Sequence, residues 1–327
     1  MTDSDALLDD SFADADAAAA LYELAAPDLP PPTSVRREAT ADPEIAIWAV
    51  HAKGSFVRMK VATSEPAVAR LRRGATLLPT LAARGLRVPE AILVRAKPGG
   101  SSVTVALERR LGTTNAAVGW PILGAPGRIA FAEALAKGFS ALHAPGASSA
   151  SAPTGSATPP GEIPWRAVVE DRVRKRVGLL RDADVLSPEF GSRTEAKLLE
   201  EASRLPVHLV PVLCHGTFAL PAAALERRAF AGLSDFEGAC TADPWLDVAA
   251  AVASLGDPAG APSRRFLEVY GATMPLPADL SSRLDLYSGL VLLKSLCVVA
   301  TAFPSEARTA AERLTGSWSL SGAHPTN

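Results

Sequence analysis

The chain has 327 residues, 48% hydrophobic and 21% charged, with formal net charge −2 and about 60 alanines that raise the apolar fraction without adding much core volume. That length buries roughly three quarters of the unfolded surface, enough for one large domain or two lobes without disulfide or metal staples. Cys214, Cys240 and Cys297 have no C-x-x-C spacing, which fits a reducing, cytoplasmic setting and offers neither a zinc site nor a redox pair. The balanced charge argues against nucleic-acid and anionic-membrane binding.

Before Arg36 there are eight acidic side chains and no Lys or Arg, the opposite of a secretory or transit peptide. Residues 1–34 read as an acidic, alanine-rich extension. Leu7, Leu8, Phe12, Leu21, Tyr22 and Leu24 recur in it at roughly helical spacing. It is either a solvated segment or a helix that docks on a basic partner or on the body of the protein. No run of about 18 apolar residues is free of charges and breakers, so no bilayer span is expected.

After Pro30-Pro31-Pro32, residues 44–51 and 55–62 read as a hairpin around Lys53-Gly54. A helix over 65–84 follows, and 91–95 with 102–107 form a second hairpin. Residues 35–111 thus predict a small lobe of about four strands with one inserted helix. From Gly127 the period becomes helical through Ile129, Phe131, Leu135, Phe139 and Leu142. Residues 144–164, rich in Ser, Ala, Pro and Gly, read as a disordered loop. Helices are expected at about 165–182, 188–204, 244–254, 263–271 and 279–303. Between them lie a β-like run at 209–214 and a short strand at 232–234. The helical part spans 112–316, and 317–327 reads as a flexible tail.

The densest cluster of chemistry-bearing residues runs from Leu213 to Val252. It contains Cys214-His215-Gly216-Thr217, then Leu233-Ser234-Asp235-Phe236-Glu237, then Asp243-Pro244-Trp245-Leu246-Asp247. In order and spacing this resembles the aminoglycoside phosphotransferase family (choline kinase-like), whose pattern is H-G-D, an Asn five residues on, D-F-E and D-P-x-x-D-L. The resemblance spans about Val35 to Thr301. It implies an α+β, bilobal, protein-kinase-like fold with a small β-rich N-lobe and a larger helical C-lobe.

It also implies ATP and Mg²⁺. Lys60 would bind the α/β phosphates, Glu108, Arg109 and Leu111 would form the hinge beside adenine, and Asp235 would hold the metal. Glu237, a second hard oxygen donor two residues on, suits the same ion or could supply a base. Loose phosphoryl-transfer transition states ask the protein mainly for positioning and charge neutralisation.

Three positions depart from the pattern. Thr217 stands where an Asp would accept the hydroxyl proton, Ala222 replaces the metal-binding Asn, and Gly74 replaces the helix Glu that pairs with the strand lysine. The loop at 39–43 lacks the glycine that lets backbone N–H groups approach phosphates. His215 reads as a residue that fixes the catalytic loop, and His143 as a packing residue. Arg70, Arg72 and Arg73, and the group Arg172, Arg174, Lys175 and Arg176, read as solvated helix faces. The second group could also receive an acidic or phosphorylated partner. Residues 244–303 mix acids with Arg264, Arg265, Arg283 and Lys294, which is no trap for a polycationic aminoglycoside.

Two function classes follow. One is an atypical ATP-dependent phosphotransferase acting on a small-molecule or peptide hydroxyl, for instance a Ser or Thr of a precursor peptide in bacterial natural-product (RiPP) biosynthesis, working with a lyase that the acidic N-terminus might recruit. The other is a pseudokinase scaffold that binds peptide, nucleotide or a partner enzyme without transfer.

Overall fold

The computed structural model describes residues 14–38, 44–98, 102–144 and 163–302, together with 307, 309 and 311. Of the loop expected at 144–164, residues 145–162 lie outside these residues, as do Leu7, Leu8, Phe12, the 39–43 loop and the tail at 317–327, while Ile163 forms an antiparallel bridge with Leu209. Asp14 caps the first helix, α1 (Ala15–Ala25), by accepting a hydrogen bond from the Asp16 N–H at 3.1 Å, which places negative charge at the helix N-terminus. Strands β1 (Pro32–Glu38), β2 (Ile45–Ala52) and β3 (Ser55–Ala62) follow, then α2 (Glu65–Ala83), β4 (Ala91–Ala96) and β5 (Val103–Arg109). They form one antiparallel sheet in the order β1-β2-β3-β5-β4.

The sheet has five strands rather than about four, because Pro32–Glu38 is an edge strand. Its sequence, Pro-Thr-Ser-Val-Arg-Arg-Glu, carries no buried side chain, so alternation of apolar residues could not reveal it. Pro32 is tolerated there because an edge needs no second hydrogen-bonded neighbour. The side chains of the two sheet faces separate by parity. Trp48, Val50, Val57, Met59, Val61, Val105 and Leu107 lie under Ala18, Leu21 and Tyr22 of α1. Of the two readings of the acidic segment, residues 15–25 therefore take the one in which a helix packs on the body. Ile45, Ile47 and Ala106 on the other face meet Val68 and Leu71 of α2.

The C-lobe begins with a short β6 (Thr114–Asn115) and α3 (Ala125–His143), then α4 (Trp165–Asp182) and α5 (Pro188–Ser203). Strand β7 (Val212–Cys214) leads into the hairpin β8 (Ala223–Glu226) and β9 (Ala229–Leu233), and β10 (Cys240–Ala242) pairs back on β7. Helices α6 (Trp245–Leu255), α7 (Ala261–Gly271) and α8 (Leu280–Ala302) complete it. Their core is built around Phe131, Phe139, Trp165, Phe266 and Tyr287. Among the described residues, no helix is long and apolar enough to cross a membrane.

Truncating Leu21 tests whether α1 is integral to the small lobe. Leu21 is 2% exposed, so Leu21→Ala should cost about 2–4 kcal/mol in urea unfolding. An unfolding midpoint equal to wild type would contradict the docked helix.

Candidate functional site

Residues 58 and 60 of β3 and residues 106 and 108 of β5 pair directly, Arg58 with Glu108 and Lys60 with Ala106. Side chains two apart share a face, so Arg58, Lys60 and Glu108 all point to the side that faces the C-lobe. Lys60 is fully buried. Its Nζ lies 2.7 Å from Glu108 Oε1, 2.9 Å from Asp235 Oδ1 and 2.6 Å from Glu237 Oε1. Burial works against the ammonium, but Asp235, Glu108 and Glu237 together outweigh it and hold Lys60 well above the ordinary lysine range.

Arg58 extends the cluster. Its Nε lies 2.9 Å from Glu38 of β1 and its Nη1 2.8 Å from Asp235 Oδ1. Asp235 pays the desolvation cost of partial burial, yet Lys60 and Arg58 hold its carboxyl well below the usual range. Four carboxylates (Glu38, Glu108, Asp235, Glu237) thus surround two cations (Arg58, Lys60), a formal surplus of two negative charges. Glu108 bears the consequence. Burial pushes its carboxyl up to about 7, against the pull of Lys60 and with Glu237 and Asp235 adding repulsion. Its Oε2 is buried with no hydrogen-bond partner among the described residues.

The turn that delivers Asp235 and Glu237 is not extended. Asp235 sits in the left-handed region at φ 64°, and Phe236–Gly238 form one 3₁₀ turn. Gly74 explains how that turn comes so close to α2. A Cβ on Gly74 would lie 3.0 Å from the Glu237 backbone nitrogen and 3.1 Å from the Phe236 carbonyl carbon. The missing helix glutamate therefore does not leave Lys60 unpaired, as its absence suggested. Glu237 arrives from the turn and takes that place, and Arg73 Nη2 donates to the Glu237 carbonyl at 3.2 Å.

The loop at 215–217 is fixed from below. Asp247 Oδ2 accepts the His215 N–H at 2.5 Å and Oδ1 the Gly216 N–H at 2.9 Å. Asp247 is 1% exposed, and His143 Nε2 lies 3.1 Å from its Oδ2 while His143 Nδ1 meets the Tyr270 hydroxyl at 2.8 Å. His215 Nε2 lies 2.7 Å from the Ser234 carbonyl, tying the loop to the Asp235 turn. Asp243 accepts the Trp245 N–H and the Tyr287 hydroxyl and pairs with Arg283. His143, Cys214 and Asp247 could in principle hold a metal, their ligand atoms lying within 4.8 Å of one another. The chemistry is against it. Both Asp247 oxygens carry loop hydrogen bonds, and burial pushes the Cys214 thiol well up, so it stays a thiol that donates to the Asp243 carbonyl.

Thr217 packs over Gly238, where a Cβ would lie 2.2 Å from its Cγ2 and 2.5 Å from its Oγ1. Ala222 is buried and offers only its carbonyl, which accepts the Ser234 N–H at 2.8 Å. Glu237 has its Oε1 engaged by Lys60 at 2.6 Å.

A cavity of about 260 Å³ opens between the sheet and the C-lobe. Pro89, Leu111, Pro221, Ala223 and Ala224 give it apolar walls, and Glu108, Arg109 and Leu111 border it. Arg58 enters it beside Glu108, and Arg36 and Arg110 also line it. Arg110 stacks on Phe56, its guanidinium 4.1 Å from the ring centroid. The N–H groups of Arg109 and Arg110 donate to Glu90 and Phe56, and Leu111 follows them at the cavity's border. The sequence located Lys60, Asp235 and Glu237. It missed Arg58 and Glu38, although Arg58 at two residues before Lys60 was bound to share its face.

The sequence model of the Phosphotransferase enzyme family (APH) matches residues 44–280. Among solved structures, the GDP and kanamycin complex of APH(2")-IIia is 16% identical, with TM-score 0.71, over 93% of this chain and 98% of that one. The ternary complex of a thermostable aminoglycoside phosphotransferase APH(4)-Ia mutant with ADP and hygromycin B is 16% identical, with TM-score 0.62, over 90% and 95%. Macrolide 2'-phosphotransferase MphH from Brachybacterium faecium is 19% identical, with TM-score 0.61, over 89% and 96%. These likenesses show the bilobal, kinase-like fold. No curated protein matches the sequence.

Two substitutions probe the cluster. Gly74→Ala raises helix propensity by about 1 kcal/mol, yet should destabilise by about 1–3 kcal/mol because the new methyl meets backbone; a more stable variant would contradict the close approach. Glu108 has its native pKa raised, so its contribution is complete below about pH 4.5 and is lost as pH rises through about 7. Urea midpoints measured from pH 5 to 7.5 should therefore fall for wild type relative to Glu108→Gln, whereas parallel profiles would rule out the raised carboxyl.

Proposed function

The chain belongs to the phosphotransferase enzyme family, and from that premise we propose that it is a nucleotide-binding phosphotransferase acting on a hydroxyl, with its proton-transfer machinery reduced. The observation that carries this reading is the Lys60–Asp235 contact at 2.9 Å, which joins the strand that would hold phosphates to the turn that would hold a metal. The cavity's apolar walls suit a base, and the arginines that line it, with Lys60 buried behind Glu108, suit phosphates. The surplus of two negative charges and the orphaned Glu108 Oε2 fit a hard divalent cation such as Mg²⁺. Asp235 and Glu237 would hold it, and its part would be to neutralise charge on the transferring phosphoryl group.

The remaining work falls to this chain's own residues. Lys60 and Arg58 would exchange carboxylate partners for phosphate oxygens. Asp247 keeps the 215–217 loop in register, so an acceptor hydroxyl would lie beside Thr217. A threonine cannot take the proton near neutral pH, and loss of a general base costs roughly 10²–10⁴-fold. A loose transition state tolerates that loss better than most. The acceptor would be a small molecule or a Ser or Thr of a precursor peptide. A partner enzyme such as a lyase would meet only the acidic outer side of α1, since its apolar side is spent on the sheet.

The packing of Thr217 over Gly238 and the apolar side chain at Ala222 favour a second reading, a pseudokinase that keeps the fold and binds without transfer. Calorimetry with Mg–ATP should detect binding to wild type and lose about tenfold or more of the affinity in Asp235→Ala. No binding at millimolar nucleotide would contradict the proposal. Thr217→Asp should then raise basal ATP turnover; unchanged turnover with binding intact would favour the scaffold.

A further inference from the structure

Beside the same loop, on α4 and α8, cations gather without ion-paired carboxylates among the described residues. Lys294 of α8 donates from Nζ to the Gly216 carbonyl at 3.2 Å, one residue from Thr217. Arg176 of α4 donates to the Leu290 carbonyl, one helical turn before Lys294, at 2.8 Å, and its own carbonyl receives the Cys297 thiol at 3.9 Å, so it brackets Lys294 on α8. Arg172 lies one turn earlier on α4, held over the Trp165 ring at 5.3 Å. Arg73 reaches the same region from α2. Lys294, Arg172 and Arg73 all act on the Cys240 thiol, whose Sγ would lie 3.1 Å from a Cβ on Gly216. The Arg73 Nε is buried and has no hydrogen-bond partner among the described residues.

The acids nearby are spent. Both Asp247 oxygens serve the loop, Glu237 serves Lys60, and Glu170 and Asp171 pair with Arg174 and Lys175 on the other side of α4. Desolvation, with Arg176 adding repulsion, brings Lys294 down to about 8. A half-buried ammonium beside two guanidinium groups, with no ion-pair partner among the described residues, is a site in want of an anion.

We propose that Lys294, Arg172 and Arg176, with Arg73 at the edge, form an anion-binding subsite beside Thr217, so that the acceptor is a hydroxyl compound that also carries a phosphate or carboxylate group. This rests on the phosphotransferase reading and gives its acceptor a chemical class. It also separates the chain from acceptors that are polycations, for which this cluster would be repulsive. Lys294 and Arg172 would orient the acceptor through charge-assisted hydrogen bonds and leave the proton transfer to other groups.

Calorimetric titration of the full chain at pH 7 with inorganic phosphate and, separately, with malonate tests it without any nucleotide. At least one of the two should bind, and which one binds distinguishes a phosphate ester from a carboxylate acceptor. Lys294→Gln and Arg172→Gln should each weaken that binding about tenfold or more, while Lys294→Arg should retain most of it. Failure of both anions to bind at tens of millimolar (an order-of-magnitude ceiling for a usable subsite), or binding indifferent to both glutamine variants, overturns the inference. Should Lys294→Gln fail to fold, Arg172→Gln, altering a half-exposed side chain of α4, decides alone. A negative result removes the subsite and leaves nucleotide binding untouched, whereas absent Mg–ATP binding would remove the phosphotransferase reading and leave the subsite standing.

Discussion

A lysine buried among carboxylates sets the terms for the rest of the molecule. Lys60 comes from the middle strand of the small lobe, and two of its three acidic partners come from a turn in the other lobe. Buried charge is tolerated only when it is matched, and removing one partner of such a group typically costs several kcal/mol. The strand, Glu108 of β5 and the turn at 235–238 are therefore constrained together. Gly74 belongs to the same constraint, because any side chain there would push the turn and its carboxylate away from Lys60. Where the resemblance implies a helix glutamate, α2 has Gly74, and Glu237 supplies a carboxylate that pairs with Lys60.

A second network holds what the first must meet. Asp247, fully enclosed, accepts two backbone N–H groups of the 215–217 loop and is backed by His143 and Tyr270. Asp243 ties Trp245, Tyr287 and Arg283 together in the same way. Positioning and chemistry have thus parted. In the proposed reading the residues that would position substrate are present, and Thr217 and Ala222 stand where the resemblance implies a base and a metal ligand. In phosphoryl transfer most of the catalytic effect comes from positioning and charge, which is why a chain altered in this way retains a physically coherent site.

Much of this was legible in the sequence, for identifiable reasons. The order and spacing of Asp235, Asp243 and Asp247 marked the site's turns, and the apolar spacing over 65–84 and from Gly127 marked two of the long helices. The edge strand at 32–38 was not legible, because an edge strand with polar side chains on both faces carries no alternation to read. The docking of α1 was open, since amphipathic spacing gives a helix an apolar side without saying what covers it. Arginine runs mislead in a related way: Arg172 and Arg176 share a face one turn apart, while Arg174 and Lys175 turn outward to Glu170 and Asp171. The cluster around Lys60 needed the register of β3 against β5, which no local pattern specifies.

In the proposed reading the buried cluster's formal surplus of negative charge would receive a cation, and Glu108 reports on that surplus. Titration of the Glu108 carboxyl by ¹³C NMR, alone and with Mg–ATP, is the most direct measurement. A midpoint near 7 in the free protein, falling when Mg–ATP is added, is the expected result. A midpoint near the ordinary glutamate value of about 4.3 that nucleotide does not move would contradict it.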